Sequence, residues 1–188
     1  MRIVLASKSP RRRELLKKII DDFEIITGET DETLPSDVHP SAGVEILAIR
    51  KGEAVARELE PDALVISSDT LVELGGIPLG KPKDANDAIR MLSELSGRTH
   101  HVHTGVAVHY KGRVYSGVDS ADVTFKNLSK KEIVEYVESG EPMDKAGAYA
   151  IQGGGVKFVE KFEGEFDAIV GLGLKLTKKL IDTAVEDD

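Results

Sequence analysis

The stretch RIVLASKSPRRRELL, Arg2 to Leu16, decides the fold class of this 188-residue chain. It begins with a short apolar run, which predicts a buried strand over residues 2–6. Ser9 is a favourable helix N-cap, and Pro10 suits the first helical turn because its missing N–H costs nothing there. Apolar residues then recur at helical spacing. A strand followed by a tight loop and a helix is typical of α/β proteins.

The same alternation continues along the chain without repeats or an evident linker. The continuous apolar run ALVIS, Ala63–Ser67, is typical of a central strand covered on both faces. Gly75-Gly76 and Lys111-Gly112 each predict a tight turn between antiparallel strands. We therefore expect an α/β fold in a single domain over residues 1–188. Further helices are predicted over 41–59, 84–97, 129–140 and 171–185, and further strands over 23–27, 101–109, 114–125 and 156–161.

The composition excludes several classes of protein. The chain contains no Cys, which excludes a disulfide framework, cysteine zinc sites and thiol nucleophiles. A formal net charge of -8 argues against a broad nucleic-acid-binding face, although one local basic pocket would still bind a small anion. No apolar stretch approaches the roughly 18 residues that span a bilayer, and no leader-like segment is evident. We expect a cytoplasmic protein that binds neither membrane nor nucleic acid.

Three consecutive arginines, Arg11 to Arg13, stand at the start of the first helix. This end of a helix dipole is already positive, so stacked cations there are unfavourable unless an anion completes the site. Successive helical residues are about 100° apart around the axis, so the three side chains cannot all reach one ligand. We expect Arg11 and Arg12 to face a bound polyanion and Arg13 to face solvent.

One carboxylate and two lysines occur in unusual places. Asp69 follows the central strand in SSDT, where open α/β sheets place ligands, so it can act as a general base, hold Mg²⁺ or simply cap a turn. Lys51 lies among apolar positions of a helix, which indicates either an anionic partner or a snorkelling side chain. Lys81 stands between Gly80 and Pro82. The residues alone support a phosphate-ester ligand but no particular reaction.

Other motifs point less clearly to a function. The histidines at 100, 101 and 103 have neither HxxxH spacing nor a third ligand, so we expect them on a strand surface rather than in a zinc site. There is no GxxxxGK[ST] phosphate-binding loop. The Gly-rich segment AGAYAIQGGG lacks the context of a dinucleotide fingerprint, but its Gln152 could contact the edge of a base.

Taken together, several stretches resemble the Maf family of nucleoside triphosphate pyrophosphatases. They are LASKSPRRRELL, the lysine of AIRKGEAVA, SSDTLVELGGIPLGKP, AIRMLSELSGRTHHVHTGV and YVESGEPMDKAGAYAIQGGGVKFVEKFEG, and they cover most of the chain. The resemblance implies an elongated, two-lobed Maf/Ham1-like mixed sheet with flanking helices and a central cleft. It also implies hydrolysis of a nucleoside triphosphate to the monophosphate and pyrophosphate, with a divalent metal, Mg²⁺ or Mn²⁺, and a possible homodimer.

The resemblance carries roles to individual residues. Asp69 matches the family's general base, and Glu32 in the polar loop is a possible metal ligand together with Asp69. The positions that match the triphosphate-binding set are Ser7, Arg11, Arg12, Lys51 and Lys81.

Three positions, Arg12, Thr70 and Gln152, resemble the branch that acts on dTTP and UTP. The branch that acts on 7-methyl-GTP differs at these positions, and that activity, or one on another non-standard triphosphate, is the alternative. A nucleotide-binding regulator of cell division without turnover is the alternative of another class. The chain departs from the family pattern in having Ala148 and Ala150 beside Gln152, and Gly173 where the family has proline.

Overall fold

A computed structural model, which describes residues 1–187, confirms the α/β fold class. Seven strands form one mixed sheet in the order β2-β1-β3-β5-β6-β7, and β4 pairs with β3 beside this path. β1 is parallel to β2 and β3, whereas every other pairing is antiparallel. The strands are β1 (Ile3–Leu5), β2 (Glu24–Ile25), β3 (Leu64–Leu74), β4 (Ile77–Leu79), β5 (Thr99–Tyr110), β6 (Arg113–Phe125) and β7 (Val159–Glu163).

Six helices flank the sheet. α2 packs across β3 and β5 on one face, whereas α6 packs on β5 and β6. Three short 3₁₀ segments, Glu141–Asp144, Ala146–Ala148 and Gly154–Phe158, surround the Gly-rich stretch. The helices are α1 (Pro10–Leu16), α2 (Pro40–Ala56), α3 (Ala85–Leu95), α4 (Lys130–Glu138), α5 (Phe166–Val170) and α6 (Leu174–Glu186).

The local signals in the sequence are confirmed where they concern caps and turns. The hydroxyl of Ser9 accepts a hydrogen bond from the backbone N–H of Arg12, as an N-cap does. Gly75 and Gly76 have φ of 61° and 84° and connect β3 to β4 as a two-residue hairpin turn. Such turns need positive φ at both central residues, which glycine adopts without strain.

The prediction for the central strand is wrong in its length. β3 does not end at Ser67 but continues to Leu74, so Asp69 lies in the middle of an eleven-residue strand. The polar run 67–70 is tolerated there because β5 pairs with β3 from Val65 to Glu73 and satisfies the backbone on that side. α5 was not predicted, and β7 begins at Val159 rather than at Val156.

The other edge of β3 explains why position 69 is still accessible. β1 pairs with β3 only up to Ile66, and β4 pairs with it only from Val72. Among residues 1–187, no strand covers that edge between these two positions. Successive side chains of a strand point to opposite faces, so Asp69 and Thr70 lie on opposite faces of β3. Because this edge of the strand is uncovered, both side chains can reach the same space.

The core lies against the sheet and includes a cluster of aromatic rings. Phe125 and Phe158 are fully buried, and the imidazole of His100 packs edge-on against Phe125, with 4.9 Å between ring centroids. His100 Nε2 lies 2.7 Å from the hydroxyl of Tyr149. This burial lowers the pKa of His100 to about 4, because an imidazolium would be desolvated.

Burial of His100 predicts a loss of stability in acid. Between pH 6.5 and about 4 the unfolded chain takes up a proton at this position, whereas the folded chain does not. The free energy of unfolding therefore falls as the pH is lowered through this window. We expect His100→Leu to reduce the fall in melting temperature over this range, measured by calorimetry. His101→Leu, at a half-exposed site, is the control, and equal pH slopes for wild type and His100→Leu would contradict the prediction.

The fold also bears on the predictions about membrane-spanning helices and about domain organisation. Within residues 1–187, no helix is long and apolar enough to cross a membrane. One sheet extends from β2 to β7, although the single domain over residues 1–188 stays a prediction.

Candidate active site

A cavity of about 1020 Å³ opens at the uncovered edge of β3. Its walls come from the β1–α1 loop, the loop before α2, α2 itself, β3, the segment after β4 and the stretch between Asp144 and Gln152. Every side chain that the sequence analysis assigned to a site lines this cavity. They are Ser7, Arg11, Arg12, Glu32, Lys51, Asp69, Thr70, Lys81 and Gln152.

An ammonium group between two carboxylates lies on the α2 side of the cavity. Nζ of Lys51 is 2.5 Å from Oδ1 of Asp69 and 2.9 Å from Oε1 of Glu32. Asp69 is largely buried in β3, whereas Glu32 is exposed in the loop. The hydrogen bond from Lys51 lowers the pKa of Glu32, and the charges of Lys81 and Arg12 act in the same direction. Lys51 thus has anionic partners, which explains its place among apolar positions.

Two glycines allow α2 to approach the sheet closely enough for this contact. Gly105 of β5 is the cross-strand partner of Asp69, and a Cβ there would lie 2.3 Å from the carbonyl oxygen of Val44. A Cβ on Gly52, next to Lys51, would lie 2.5 Å from the imidazole of His109. The backbone of α2 therefore lies almost directly on β3 and β5, which places Lys51 over Asp69.

Arg12 reaches across the other face of β3. Its Nε donates to the carbonyl oxygen of Gly171 at 2.8 Å, and one terminal nitrogen donates to Oγ1 of Thr70 at 3.1 Å. The other terminal nitrogen lies 3.5 Å from Oγ of Ser7. Burial lowers the pKa of Arg12, and the charge of Asp69 opposes this shift. These fixed bonds orient the guanidinium along the cavity wall.

The three arginines differ in their surroundings, as the helical geometry predicts. Arg11 and Arg12 are partly buried and line the cavity, whereas Arg13 is exposed and does not. The prediction that Arg13 faces solvent is confirmed.

The prediction that the histidines at 100, 101 and 103 lie on a strand surface is wrong for two of them. His100 and His103 are buried, and so is His109. His103 is bonded through Nε2 to Glu73 at 2.7 Å, in the space between the sheet and the start of α2. Other elements of the fold cover these side chains, so they do not lie on an exposed face of β5. In residues 1–187, no three His, Asp or Glu side chains are arranged to hold a metal by themselves.

Comparison with known families identifies the family of the chain. The model of Maf-like proteins matches residues 2–184. The chain belongs to the Maf family. Relatives named dTTP/UTP pyrophosphatase include one from Bacillus velezensis, 44% identical over 96% of this chain and 95% of its own length. One from a Thermoanaerobacter species is 47% identical over 97% and 94%, and one from Pelotomaculum thermopropionicum is 49% identical over 92% and 91%.

The fold of this Maf chain extends to more distant structures. The Ham1 protein of Staphylococcus aureus superposes with a TM-score of 0.51 over 99% of this chain and 95% of the other, at 16% identity. This similarity shows a shared fold, and it confirms the Maf/Ham1-like mixed sheet with flanking helices.

The structure shows how the three positions predicted to set selectivity are arranged in this Maf chain. Arg12 and Thr70 are in direct contact, and Thr70 also lies 3.0 Å from the hydroxyl of Thr104. Gln152 is exposed and lines the same cavity. Ala148, one of the departures from the family pattern, is fully buried with φ of 61°, a conformation that glycine adopts more readily.

Three charged residues of this cavity, Lys8, Asp144 and Lys145, were not predicted from the sequence. Asp144 and Lys145 line it on the side of the Gly-rich segment. The available signal was their position, because an Asp-Lys pair stands immediately before AGAYAIQGGG. Charged side chains beside a Gly-rich stretch that approaches a ligand are candidates for binding it.

The unequal arginines lead to a testable prediction. Arg12→Ala removes a guanidinium held by three protein groups, and we expect kcat/KM for a triphosphate substrate to fall by about tenfold or more. Arg13→Ala, at an exposed position, should leave kcat/KM within about twofold of wild type. Steady-state kinetics of both purified variants measures this difference, and equal losses in the two would contradict it.

Proposed function

We propose that this protein hydrolyses dTTP and UTP to the monophosphate and pyrophosphate. The observation that carries the proposal is the Lys51–Asp69 pair inside a cavity lined by cations, in a chain 44–49% identical to relatives named dTTP/UTP pyrophosphatase. The contact between Arg12 and Thr70, with Gln152 facing the same cavity, supports the choice of a pyrimidine triphosphate.

The charges of the cavity suit a triphosphate. The chain has a formal net charge of -8, yet four basic residues of the predicted phosphate site converge here. Arg11 and Arg12 come from the start of α1, where backbone N–H groups also favour an anion. Lys51 and Lys81 approach from α2 and from the segment after β4. A triphosphate would neutralise these cations, which removes the electrostatic objection to arginines at a helix N-terminus.

Asp69 is the group that we assign to the chemical step. Lys51 donates to Oδ1, which leaves Oδ2 as the oxygen that can accept a proton from water. In this assignment Asp69 orients a water for attack at the α-phosphorus, and it takes the proton as pyrophosphate leaves. The Arg and Lys side chains hold the phosphate oxygens and stabilise the charge that develops on the leaving group.

The donor set fits a divalent metal held jointly with the substrate. Glu32 and Asp69 both contact one ammonium nitrogen, so their carboxylates lie close together. Mg²⁺ is commonly bound by one or two carboxylates plus substrate phosphates rather than by an all-protein site, and Mn²⁺ suits the same oxygen ligands. Glu32 and Asp69 would hold the ion, which supplies charge neutralisation at the phosphates.

A panel of triphosphates, assayed for pyrophosphate release with and without EDTA, tests the proposal. We expect dTTP and UTP to be the preferred substrates, and EDTA to abolish turnover. A strong preference for 7-methyl-GTP or inosine triphosphate would overturn the assignment of Arg12, Thr70 and Gln152. Binding of dTTP without any turnover would instead support a nucleotide-binding regulator of cell division. The homodimer, the lack of nucleic-acid binding and the cytoplasmic location stay predictions.

A further inference from the structure

The Gly-rich side of the cavity contains a lysine that has no assigned role. Lys145 follows the 3₁₀ segment Glu141–Asp144, and it lines the cavity together with Asp144. Its side chain is only 12% exposed, in contrast to the 74% of Asp144. The ammonium group contacts the carboxylate of Asp144 and lies 3.4 Å from the carbonyl oxygen of Glu141.

Lys145 is anchored beside the predicted phosphate site. The backbone N–H of Gly147 donates to the carbonyl oxygen of Gly80 at 3.1 Å, which joins this wall to the residue before Lys81. A Cβ on Gly147 would lie 2.9 Å from the side chain of Val72, so the segment also packs tightly on β3. Lys145 and Lys81 therefore belong to adjacent segments of one wall.

Two carboxylates of the cavity each lie near several cations. Glu32 lies among Lys51, Lys81 and Arg12, each of which lowers its pKa. The pKa of Asp144 is lowered in the same way, first by Lys145 and also by the charge of Arg11. Asp144 is therefore a carboxylate near two cations, Lys145 and Arg11. In the same way, Glu32 lies near Lys51 and Lys81.

We propose that Lys145 is a further phosphate-binding residue of this site, and that its ammonium group exchanges the carboxylate of Asp144 for a phosphate oxygen of the ligand. The inference deepens the proposed function and rests on it for the identity of the substrate. A polyphosphate would then be held by cations from two segments of the cavity, with Arg11 from α1 and Lys145 from the segment before the Gly-rich stretch.

A purely structural role explains the position of Lys145 less well. Pairs between neighbouring charged residues add little to stability when one partner is exposed, as Asp144 is. Withdrawing an ammonium group from water is unfavourable unless strong partners replace the water. Around Lys145 the structure offers the Asp144 carboxylate and one carbonyl oxygen at 3.4 Å, so a phosphate oxygen would complete its hydrogen bonding.

Titration calorimetry of the full chain with inorganic pyrophosphate tests the proposal without requiring turnover. Lys145→Met keeps the aliphatic stem but removes the charge, and we expect pyrophosphate to bind about 10- to 100-fold more weakly. Lys145→Arg should bind within a few-fold of wild type. Lys83→Met is the matched control, because Lys83 is exposed outside the cavity and should bind pyrophosphate as wild type does.

The exchange has its own test. Asp144→Asn removes the carboxylate that competes with phosphate, so it should tighten pyrophosphate binding by a few-fold, and weaker binding would overturn the exchange. If Lys145→Met does not fold, Asp144→Asn, a variant at an exposed site, still tests the exchange. Unchanged pyrophosphate affinity in a folded Lys145→Met protein would overturn the role of Lys145. Failure to hydrolyse dTTP and UTP, with pyrophosphate binding still dependent on Lys145, would overturn only the proposed function.

Discussion

Asp69→Asn is expected to lower the turnover of dTTP by at least about 100-fold, because the amide oxygen cannot take a proton from water. The amide oxygen can still accept the hydrogen bond that Lys51 donates to Oδ1, and Glu32 remains as a second partner of that ammonium group. The geometry around Lys51 should therefore survive the substitution. Release of pyrophosphate under saturating substrate measures the loss in kcat, while KM should change much less.

A matched control separates catalysis from a general loss of charge. Asp122→Asn removes a carboxylate from β6 at a half-exposed position where it pairs with His101, outside the cavity. Its turnover should stay within about twofold of wild type. A folded Asp69→Asn protein with near-normal hydrolysis would show that another group activates the water.

Gly105→Ala is expected to destabilise the fold by about 3 kcal/mol and to reduce activity by more than about tenfold, because the added Cβ meets backbone rather than a movable side chain. That Cβ would lie 2.3 Å from the carbonyl oxygen of Val44 and 2.8 Å from the backbone nitrogen of Glu45. α2 would have to move away from the sheet. Lys51 lies two turns further along the same helix, so its contact with Asp69 would lengthen. Thermal unfolding and steady-state kinetics measure the two effects.

Gly117→Ala is the matched control, since it also adds a methyl group to a strand glycine. Its Cβ would meet only the end of the Leu176 side chain, at 3.0 Å, and that side chain can adjust. We expect its free energy of unfolding to change by less than about 1 kcal/mol. If Gly105→Ala were as stable and active as Gly117→Ala, close packing of α2 would not be what places Lys51.

Local signals predicted most of the secondary structure. The Ser9 cap and the Gly75-Gly76 turn are formed as the sequence predicts, and the helix predicted over 129–140 begins with a capping box of Ser129 and Glu132. These features depend on residues within four positions of one another, so the competing tertiary interactions rarely override them. The short helix α5 carried no comparable signal, because Glu165 at its start makes no side-chain cap.

Tertiary contacts decided the features that the sequence analysis placed incorrectly. The polar residues 67–70 suggested the end of a strand, yet pairing with β5 carries β3 on to Leu74. His103 was expected on a strand surface because the histidine cluster lacks the spacing of metal ligands, but the start of α2 and the partner Glu73 cover it. Neither outcome can be predicted without knowing where an element that is distant in the sequence lies in the fold.

The sequence by itself determined the α/β class and the caps and turns, and it indicated nine of the side chains that line the cavity. Only the tertiary structure decided that Asp69 and Thr70, on opposite faces of β3, open into one space where β1 has ended and β4 has not begun. It also decided that Lys51 contacts Asp69 and that Lys145 lines the same cavity. The reason is physical: propensities act within a few residues, whereas a site depends on which strand edges stay uncovered and how closely a helix can approach.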